Sequence, residues 1–167
     1  VTLLEQANAY RTLANLGRWS PLRIKADDPA VEPRQVVDPG AAWIVGDMLS
    51  DASARASTFG VDSALRLPFW AAAKTGTSKA MRDNWCIGYS DRFTVAVWVG
   101  NLEGDPMRAV SGTSGAAPVW RDVMIALHQG KPGQQPPRPQ GIEAGKVTFA
   151  TGREPARSEW FLAGTAQ

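Results

Sequence analysis

The sequence contains little of several residue types, and each scarcity excludes a class of protein. Its 167 residues include one cysteine, Cys86, and one histidine, His128, which excludes an internal disulfide and any zinc site built from several cysteines. The net charge is only +2, and no basic stripe indicates a nucleic-acid-binding surface. No apolar run approaches the ~18 residues of a membrane span, and no signal-peptide pattern opens the chain.

The composition that remains is that of a globular domain. Hydrophobic residues make up 44% and charged residues 20%, enough apolar surface for a chain of this length to bury a core. Because the first residue is Val1 and not Met, directly before a helix start, we expect a piece of a longer protein. We expect a compact unit over residues 1–130, a proline-rich linker over 131–145, and a junction toward a further C-terminal module over 146–167.

Three helices are predicted from their start signals and apolar spacing. Thr2 and Glu5 have the spacing of a capping box, and Asp38 followed by Pro39 is typical of a helix start. A third helix should begin near Pro118. The predicted buried faces of the second and third helices are Ala41, Ile44, Val45, Met48 and Leu49, and Val119, Val123, Met124 and Leu127.

The middle of the chain has the pattern of β-strands. An apolar segment from residue 69 leads into residues 74–77, and strands over 85–89 and 93–99 are separated by a hairpin-length loop. Both faces of the 93–99 strand are largely apolar, which predicts a central strand with helices on both sides. At most a short helix is expected around 63–65, and a brief strand around 147–149. The fold class is therefore α+β.

Lys74-Thr75-Gly76-Thr77 is the one segment whose residue types indicate a site. On a strand it presents an ammonium group, two hydroxyls and a backbone that a ligand can approach closely. Alternation places Lys74 and Gly76 on one side and Thr75 and Thr77 on the other. Such a surface suits an extended peptide ending in a carboxylate, bound by strand addition. The alternative is an edge-strand lysine followed by a turn glycine.

The same segment carries a resemblance to a known family. Together with residues 83–89 (DNWCIGY) and 95–100 (VAVWVG), it resembles the transpeptidase domain of class A penicillin-binding proteins. Residues 2–15 resemble the helix preceding this motif, and residues 154–165 resemble the junction after the domain in the 1C branch of the class. The resemblance implies part of a serine β-lactamase/transpeptidase-like fold, with antiparallel strands flanked by helices.

The resemblance also implies an activity and a role for each matched residue. The family cross-links peptidoglycan by acyl transfer through a serine ester, with no metal or organic cofactor. Lys74 would supply positive charge in the cleft, Thr75 and Thr77 would offer hydroxyls to the terminal carboxylate of a stem peptide or β-lactam, and Gly76 would allow close approach. The N–H of Thr77 would form half of an oxyanion hole, where a donor is worth roughly 3–4 kcal/mol. Lys74 and Thr77 are thus the expected catalytic residues.

Two other motifs of the family are absent from the sequence. No serine is followed by lysine three residues later, and Ser50-Asp51-Ala52 departs from Ser-x-Asn at its last position. We expect the nucleophile to lie upstream of Val1, in the other half of the same transpeptidase domain, and this chain alone to be inactive. The resemblance implies a glycosyltransferase domain and a membrane anchor further upstream, and a periplasmic location.

Two alternative functions stay open. One is a module that binds penicillin or stem peptides without turning them over. The other is a serine hydrolase of the D,D-carboxypeptidase or β-lactamase type, since these enzymes share the third motif. In the family the strand with Lys74 lies at the edge of the sheet, and the 93–99 strand pairs with one from the upstream half. We therefore expect this chain in isolation to expose an apolar sheet edge and to self-associate.

Four further features have plain structural interpretations. Cys86 is expected to be a buried small hydrophobe with no base to activate it, and His128 to contact the open carbonyls at a helix end. Residues 112–115 (GTSG) form either an anion cradle or a flexible turn before the third helix. Arg82 and Asp83 are expected to be a solvated loop pair, with contact between Arg82 and substrate as the alternative.

Overall fold

The computed structural model describes residues 1–51, 63–149 and 156–165 and confirms the mixed helix and antiparallel-strand class. The first residues of the tail segment that begins at 154 lie outside this range. The described helices are α1 (Leu3–Ala14), α2 (Pro39–Ser50) and α3 (Ala117–Leu127). The described strands are β1 (Arg18–Trp19), β2 (Arg34–Gln35), β3 (Ala72–Thr77), β4 (Asp83–Tyr89), β5 (Thr94–Gly100), β6 (Ile142–Val147) and β7 (Arg157–Leu162). None of these helices is both long and apolar enough to cross a membrane.

The strands pair as three antiparallel sheets, β1–β2, β3–β4–β5 and β6–β7. In the three-stranded sheet Gly76 lies opposite Trp85, and Trp85 lies opposite Trp98. Because side chains alternate along a strand, this register divides the sheet into two faces. The face of Gly76 carries the contacts with α1, including the edge-to-face pair of Tyr10 and Tyr89 at 6.5 Å. The opposite face packs against α3, and its residues form the main core.

The predicted helix starts are confirmed in atomic detail. Thr2 Oγ1 accepts a hydrogen bond from the Glu5 N–H at 3.2 Å, and the Glu5 carboxylate accepts one from the Thr2 N–H at 2.7 Å. This reciprocal capping lowers the pKa of Glu5, because the hydrogen bonds favour the charged carboxylate. In α2 the Asp38 carboxylate accepts a hydrogen bond from the Ala41 N–H at 2.9 Å. Both helix starts depend on contacts between residues three positions apart in the chain. The sequence alone therefore shows both partners of each contact.

The predicted buried face of α2 is wrong. Val45 is 37% and Met48 61% exposed, whereas the buried positions are Gly40, Ala42, Trp43 and Gly46. Nearly every residue of this helix is apolar or small, so its hydropathy pattern does not select a face. Large partners select it instead, since the Trp43 ring meets Trp160 edge-to-face at 5.8 Å.

The predicted buried stripe of α3 is correct only at Met124, which is fully buried. Val119, Val123 and Leu127 are 48%, 38% and 39% exposed, and Trp120 is fully buried in their place. Trp120 packs onto the sheet, where its ring leaves no room for a side chain on residue 88. The core cluster comprises Leu65, Ala71, Ala73, Cys86, Ala116, Ala117, Trp120 and Met124.

Strand β5 is not central among the described residues, because the order β3–β4–β5 places it at one edge. The expectation of helices on both of its faces is nevertheless confirmed, since β5 contacts both α1 and α3. Val95, Val97 and Val99 pack against the core on the α3 side. All seven residues of β5 are half-buried, which fits a strand covered on its faces but open along one edge.

The proline-rich segment is extended but lies against the domain. Trp43 Nε1 donates to the Pro136 carbonyl at 2.8 Å, and the Gln134 N–H donates to the Asp91 carboxylate at 3.0 Å. Strand β6 begins at Ile142, inside the segment predicted as linker, and pairs with β7 as a hairpin. The brief strand expected near 147–149 is therefore the end of a longer strand. The short helix considered around 63–65 is a turn, closed by the Arg66 N–H on the Ser63 carbonyl.

Candidate active site

Strand β3 carries the segment that the sequence singles out. It pairs with β4 on one side, and among the described residues no strand pairs with its other side. Lys74 lies opposite Ile87 and Gly76 opposite Trp85, on the α1 face, whereas Thr75 and Thr77 lie on the α3 face. The predicted alternation is thus present, on a strand whose free edge leaves backbone groups for an added peptide strand.

The Lys74 side chain lies in an open groove between the sheet and α1. The groove has a volume of about 210 Å³ and is lined by Gln6, Tyr10, Lys74, Thr75, Gly76, Trp85 and Ile87. Lys74 is exposed, and its ammonium group donates to the Thr75 carbonyl at 2.5 Å. Its positive charge therefore stands at the groove beside the backbone of the Lys-Thr-Gly-Thr strand.

The two threonines differ in exposure. Thr75 is 9% exposed, whereas Thr77 is exposed at the end of the strand. The Thr77 Oγ1 accepts a hydrogen bond from the Gly112 N–H at 3.0 Å. Of the two hydroxyls predicted to face a substrate carboxylate, that of Thr77 is the more accessible.

Gly76 leaves space on the groove side of the strand. A Cβ placed on Gly76 would meet only the Trp85 Cβ, at 3.7 Å, an ordinary contact distance. The absent side chain is therefore not required by packing within the sheet. Because Gly76 has no side chain, a ligand backbone can approach the β3 backbone closely between Lys74 and Thr77.

The connection after Thr77 is held by a polar network that contradicts the expectation of a solvated Asp83. The Asp83 carboxylate accepts hydrogen bonds from the Ser78 hydroxyl at 2.9 Å and from Trp98 Nε1 at 3.0 Å. The Asp83 N–H donates to Ser78 Oγ at 2.8 Å. Asp83 is half-buried; its hydrogen bonds with Ser78 close the short loop that follows the site strand, and the bond from Trp98 ties this loop to β5.

Tyr10 is a groove residue that the sequence interpretation missed. Burial raises the pKa of its phenol above the ordinary value, and the nearby Cys86 thiol adds to this effect. Tyr10 therefore stays a neutral hydrogen-bond donor at the groove. A signal for it exists, since Gln6 and Tyr10 are four residues apart and thus share one helix face. That signal does not by itself show that this face meets β3.

Cys86 and His128 have contacts that fit a structural role. Cys86 is fully buried in β4, as predicted. His128 is 5% exposed, with Nδ1 at 2.7 Å from the Met124 carbonyl, the expected contact with a helix end, and Nε2 at 2.8 Å from Ser90 Oγ. The lining of the groove includes no serine, and the described residues contain no cluster of histidine, cysteine, aspartate or glutamate placed to hold a metal.

Comparison with known proteins gives consistent results. A family model described as the penicillin binding protein transpeptidase domain matches residues 1–125. Penicillin-binding protein 1C of Escherichia coli is 33% identical over 90% of this chain and 19% of its own length. Penicillin-binding protein 1A of Clostridium botulinum is 27% identical over 92% of this chain and 20% of its own length.

The fold is also similar to that of a solved structure. Penicillin-Binding Protein 1A from Haemophilus influenzae superposes with a TM-score of 0.75 over 99% of this chain and 32% of that one, at 20% sequence identity. At this identity the likeness concerns the fold alone. The chain spans about a fifth of the length of the two relatives compared above.

Proposed function

The chain belongs to the penicillin-binding protein transpeptidase family, and on that premise we propose that it forms the Lys-Thr-Gly side of a peptidoglycan D,D-transpeptidase active site. The observation that carries the proposal is the position of β3. It is an edge strand with a lysine and a glycine facing an open groove and an accessible threonine at its end. A peptide that adds to this edge would have Lys74 and Gly76 on one side of it and the hydroxyls of Thr75 and Thr77 on the other.

Each residue of the segment has a role in this proposal. The Lys74 ammonium attracts the substrate carboxylate and helps to hold the serine of the second motif. The hydroxyls of Thr75 and Thr77 donate to the same carboxylate, and Gly76 lets the substrate backbone approach. The N–H of Thr77 donates to the oxygen that becomes negative when the carbonyl is attacked, where a preset donor lowers the barrier most.

The nucleophile comes from outside these residues. The sequence contains no Ser-x-x-Lys and no Ser-x-Asn, and the chain spans about a fifth of its relatives. We therefore assign the reactive serine, its lysine and the second-motif serine to another part of the longer polypeptide. Without them the 167-residue chain forms no acyl-enzyme.

The reaction is a two-step acyl transfer. The serine oxygen bonds to the carbonyl carbon of a donor stem peptide, and the terminal residue leaves with a proton on its amine. An amine of a second stem peptide then bonds to the same carbon and releases the serine with its proton. The proposal also includes the features that class A penicillin-binding proteins share. These are a glycosyltransferase domain and a membrane anchor elsewhere in the polypeptide, and action on the periplasmic side of the membrane.

Covalent labelling with a fluorescent penicillin tests the proposal. The longer polypeptide that contains these residues should become labelled on a denaturing gel, and the 167-residue chain should not. Lys74→Ala should lower the labelling rate roughly 100-fold, because a preset positive group is lost from the site. Lys146→Ala is the matched control, since Lys146 is an exposed lysine on β6, away from the groove.

Each alternative function has its own outcome in this test. A longer polypeptide that binds penicillin without covalent label indicates a non-catalytic binding module. Rapid label followed by rapid hydrolysis, without transfer to an added acceptor amine, indicates a carboxypeptidase or β-lactamase. Equal labelling of the Lys74→Ala and Lys146→Ala variants contradicts the role given to Lys74.

A further inference from the structure

The loop before α3 contacts the proposed site directly. The sequence leaves residues 112–115 as an anion cradle or a flexible turn, but in the structure this segment is a single wide helical turn docked on the end of β3. We propose that Gly112 is a positioning residue that orients both the hydroxyl and the backbone N–H of Thr77. This proposal rests on the proposed function of the Lys-Thr-Gly-Thr strand.

The first contact concerns the Thr77 hydroxyl. Its oxygen accepts a hydrogen bond from the Gly112 N–H at 3.0 Å. A threonine hydroxyl has one hydrogen to donate and two lone pairs that accept. With a donor already directed at the oxygen, the hydroxyl hydrogen turns away from Gly112. Thr77 therefore meets a ligand as a hydrogen-bond donor, which suits a carboxylate acceptor.

The second contact concerns the Gly76–Thr77 peptide. A Cβ on Gly112 would lie 2.6 Å from the Gly76 carbonyl oxygen and 2.8 Å from the Trp85 carbonyl oxygen. Residue 112 therefore touches the carbonyl end of the peptide unit whose N–H belongs to Thr77. Because this peptide is trans, its N–H points opposite to its carbonyl. Gly112 on the carbonyl side thus sets the direction of the proposed oxyanion-hole donor.

The loop is held firmly enough to act as a support. Ser111 and Ser114 cap each other, with Ser114 Oγ accepting from the Ser111 N–H at 2.9 Å and Ser111 Oγ accepting from the Ser114 N–H at 3.3 Å. The next residues, Ala116 and Ala117, are fully buried in the core. Gly112 therefore cannot move away from β3 without disturbing either this capping or the core.

The test is the Gly112→Ala substitution in the longer polypeptide, read as the second-order rate of labelling by fluorescent penicillin. The new methyl group would overlap two backbone oxygens, so the loop must shift and weaken its bond to Thr77. A misplacement of this size lowers the rate roughly 10- to 100-fold. Gly115→Ala is the matched control, because its Cβ would lie 2.7 Å from a Val110 methyl group and its nearest neighbours are side-chain atoms outside β3, not the backbone of the site strand.

Three outcomes decide the proposal. Two results together support the proposal. Folded Gly112→Ala labels slowly while Gly115→Ala labels normally, and Gly112→Ala has a smaller effect in the Thr77→Val background, as expected if Gly112 acts through Thr77. Normal labelling by folded Gly112→Ala overturns it. If Gly112→Ala does not fold, Ser111→Ala replaces it: slower labelling supports the proposal and an unchanged rate overturns it. Failure of the unmodified polypeptide to label contradicts the proposed function instead.

Discussion

At the scale of single residues, the site segment divides its chemistry between two faces of one strand. Lys74 presents charge at the groove beside α1, whereas the Thr77 hydroxyl lies on the other face, beside Gly112. An extended peptide on the free edge of β3 would meet both. The separation follows from strand alternation alone, and under the proposed function it lets one short segment offer a cation and a hydroxyl donor to the same substrate.

Tyr89 is a second residue whose surroundings have a measurable consequence. It is 1% exposed, and burial raises the pKa of Tyr89 to about 12, with a smaller contribution from the charge of Tyr10. The folded chain therefore favours the neutral phenol, while the unfolded chain loses this proton near pH 10. The contribution of the neutral Tyr89 phenol to the free energy of unfolding is therefore fully present below pH 10 and is lost as the pH rises to about 12.

We expect the Tyr89→Phe variant to lose less stability than the parent chain between pH 10 and 12. Its stability at pH 7 should change by less than about 1 kcal/mol, because the Tyr89 hydroxyl has no hydrogen-bond partner within the described ranges. Chemical denaturation at a series of pH values measures both effects. Parallel pH profiles for the two proteins would show that Tyr89 ionisation does not limit the fold.

At the scale of elements, the β3–β4 connection shows how a short loop keeps an unusual conformation. Ala80 and Met81 have positive φ angles of 60° and 57°, a region that costs energy for residues with a side chain. The Asp83 carboxylate and the Ser78 hydroxyl close this loop with direct hydrogen bonds. These bonds offset the strain and fix where β3 ends, immediately after Thr77.

The two faces of α3 provide a direct test of the observed packing. Met124→Ala should lower the free energy of unfolding by about 2–5 kcal/mol, because it opens a cavity under a fully buried side chain. Val123→Ala should cost below about 1 kcal/mol, since Val123 is 38% exposed. Urea denaturation of both variants measures the difference. Equal losses would favour the stripe that hydropathy alone predicts.

At the scale of the whole molecule, long-range contacts join segments that look separate in the sequence. The proline-rich segment is tied to α2 by the Trp43 indole and by Gln135, whose amide donates to the Asp47 carboxylate at 2.8 Å. The β6–β7 hairpin adds Trp160, which packs on Trp43 and lies under the Arg138 guanidinium at 4.5 Å. The segments after α3 therefore contact the domain through aromatic and hydrogen-bonded contacts.

The open edge of β5 leads to a prediction about association. In the described part of the chain no strand covers this edge, and β5 is rich in valine. The 167-residue chain should therefore self-associate through strand pairing. Light scattering at increasing concentration measures this, with Thr94→Lys as a variant whose added edge charge should reduce it. A monodisperse monomer at high concentration would contradict the prediction.

Many local features could be predicted without the structure. The caps at Thr2 and Asp38, the strand with Lys74, and the two strands that follow it depend on interactions between residues close in the chain. The third-motif segment was recognisable for the same reason, since its four residues are contiguous. Features requiring a partner from elsewhere were predicted poorly: the role of Asp83 depends on Trp98, and the groove beside Lys74 depends on Tyr10.

The sequence by itself determined the α+β class, the starts of the helices, the alternation along β3 and the family of the chain. These features are predicted by capping residues, side-chain periodicity and contiguous motifs, because the interactions behind them act between residues only a few positions apart. Only the tertiary structure decided which faces of α2 and α3 are buried, where β5 lies in the sheet, and that Gly112 meets Thr77 from 35 residues away. Those outcomes depend on which large side chains and backbone oxygens compete for the same space, and that competition exists only once the chain has folded.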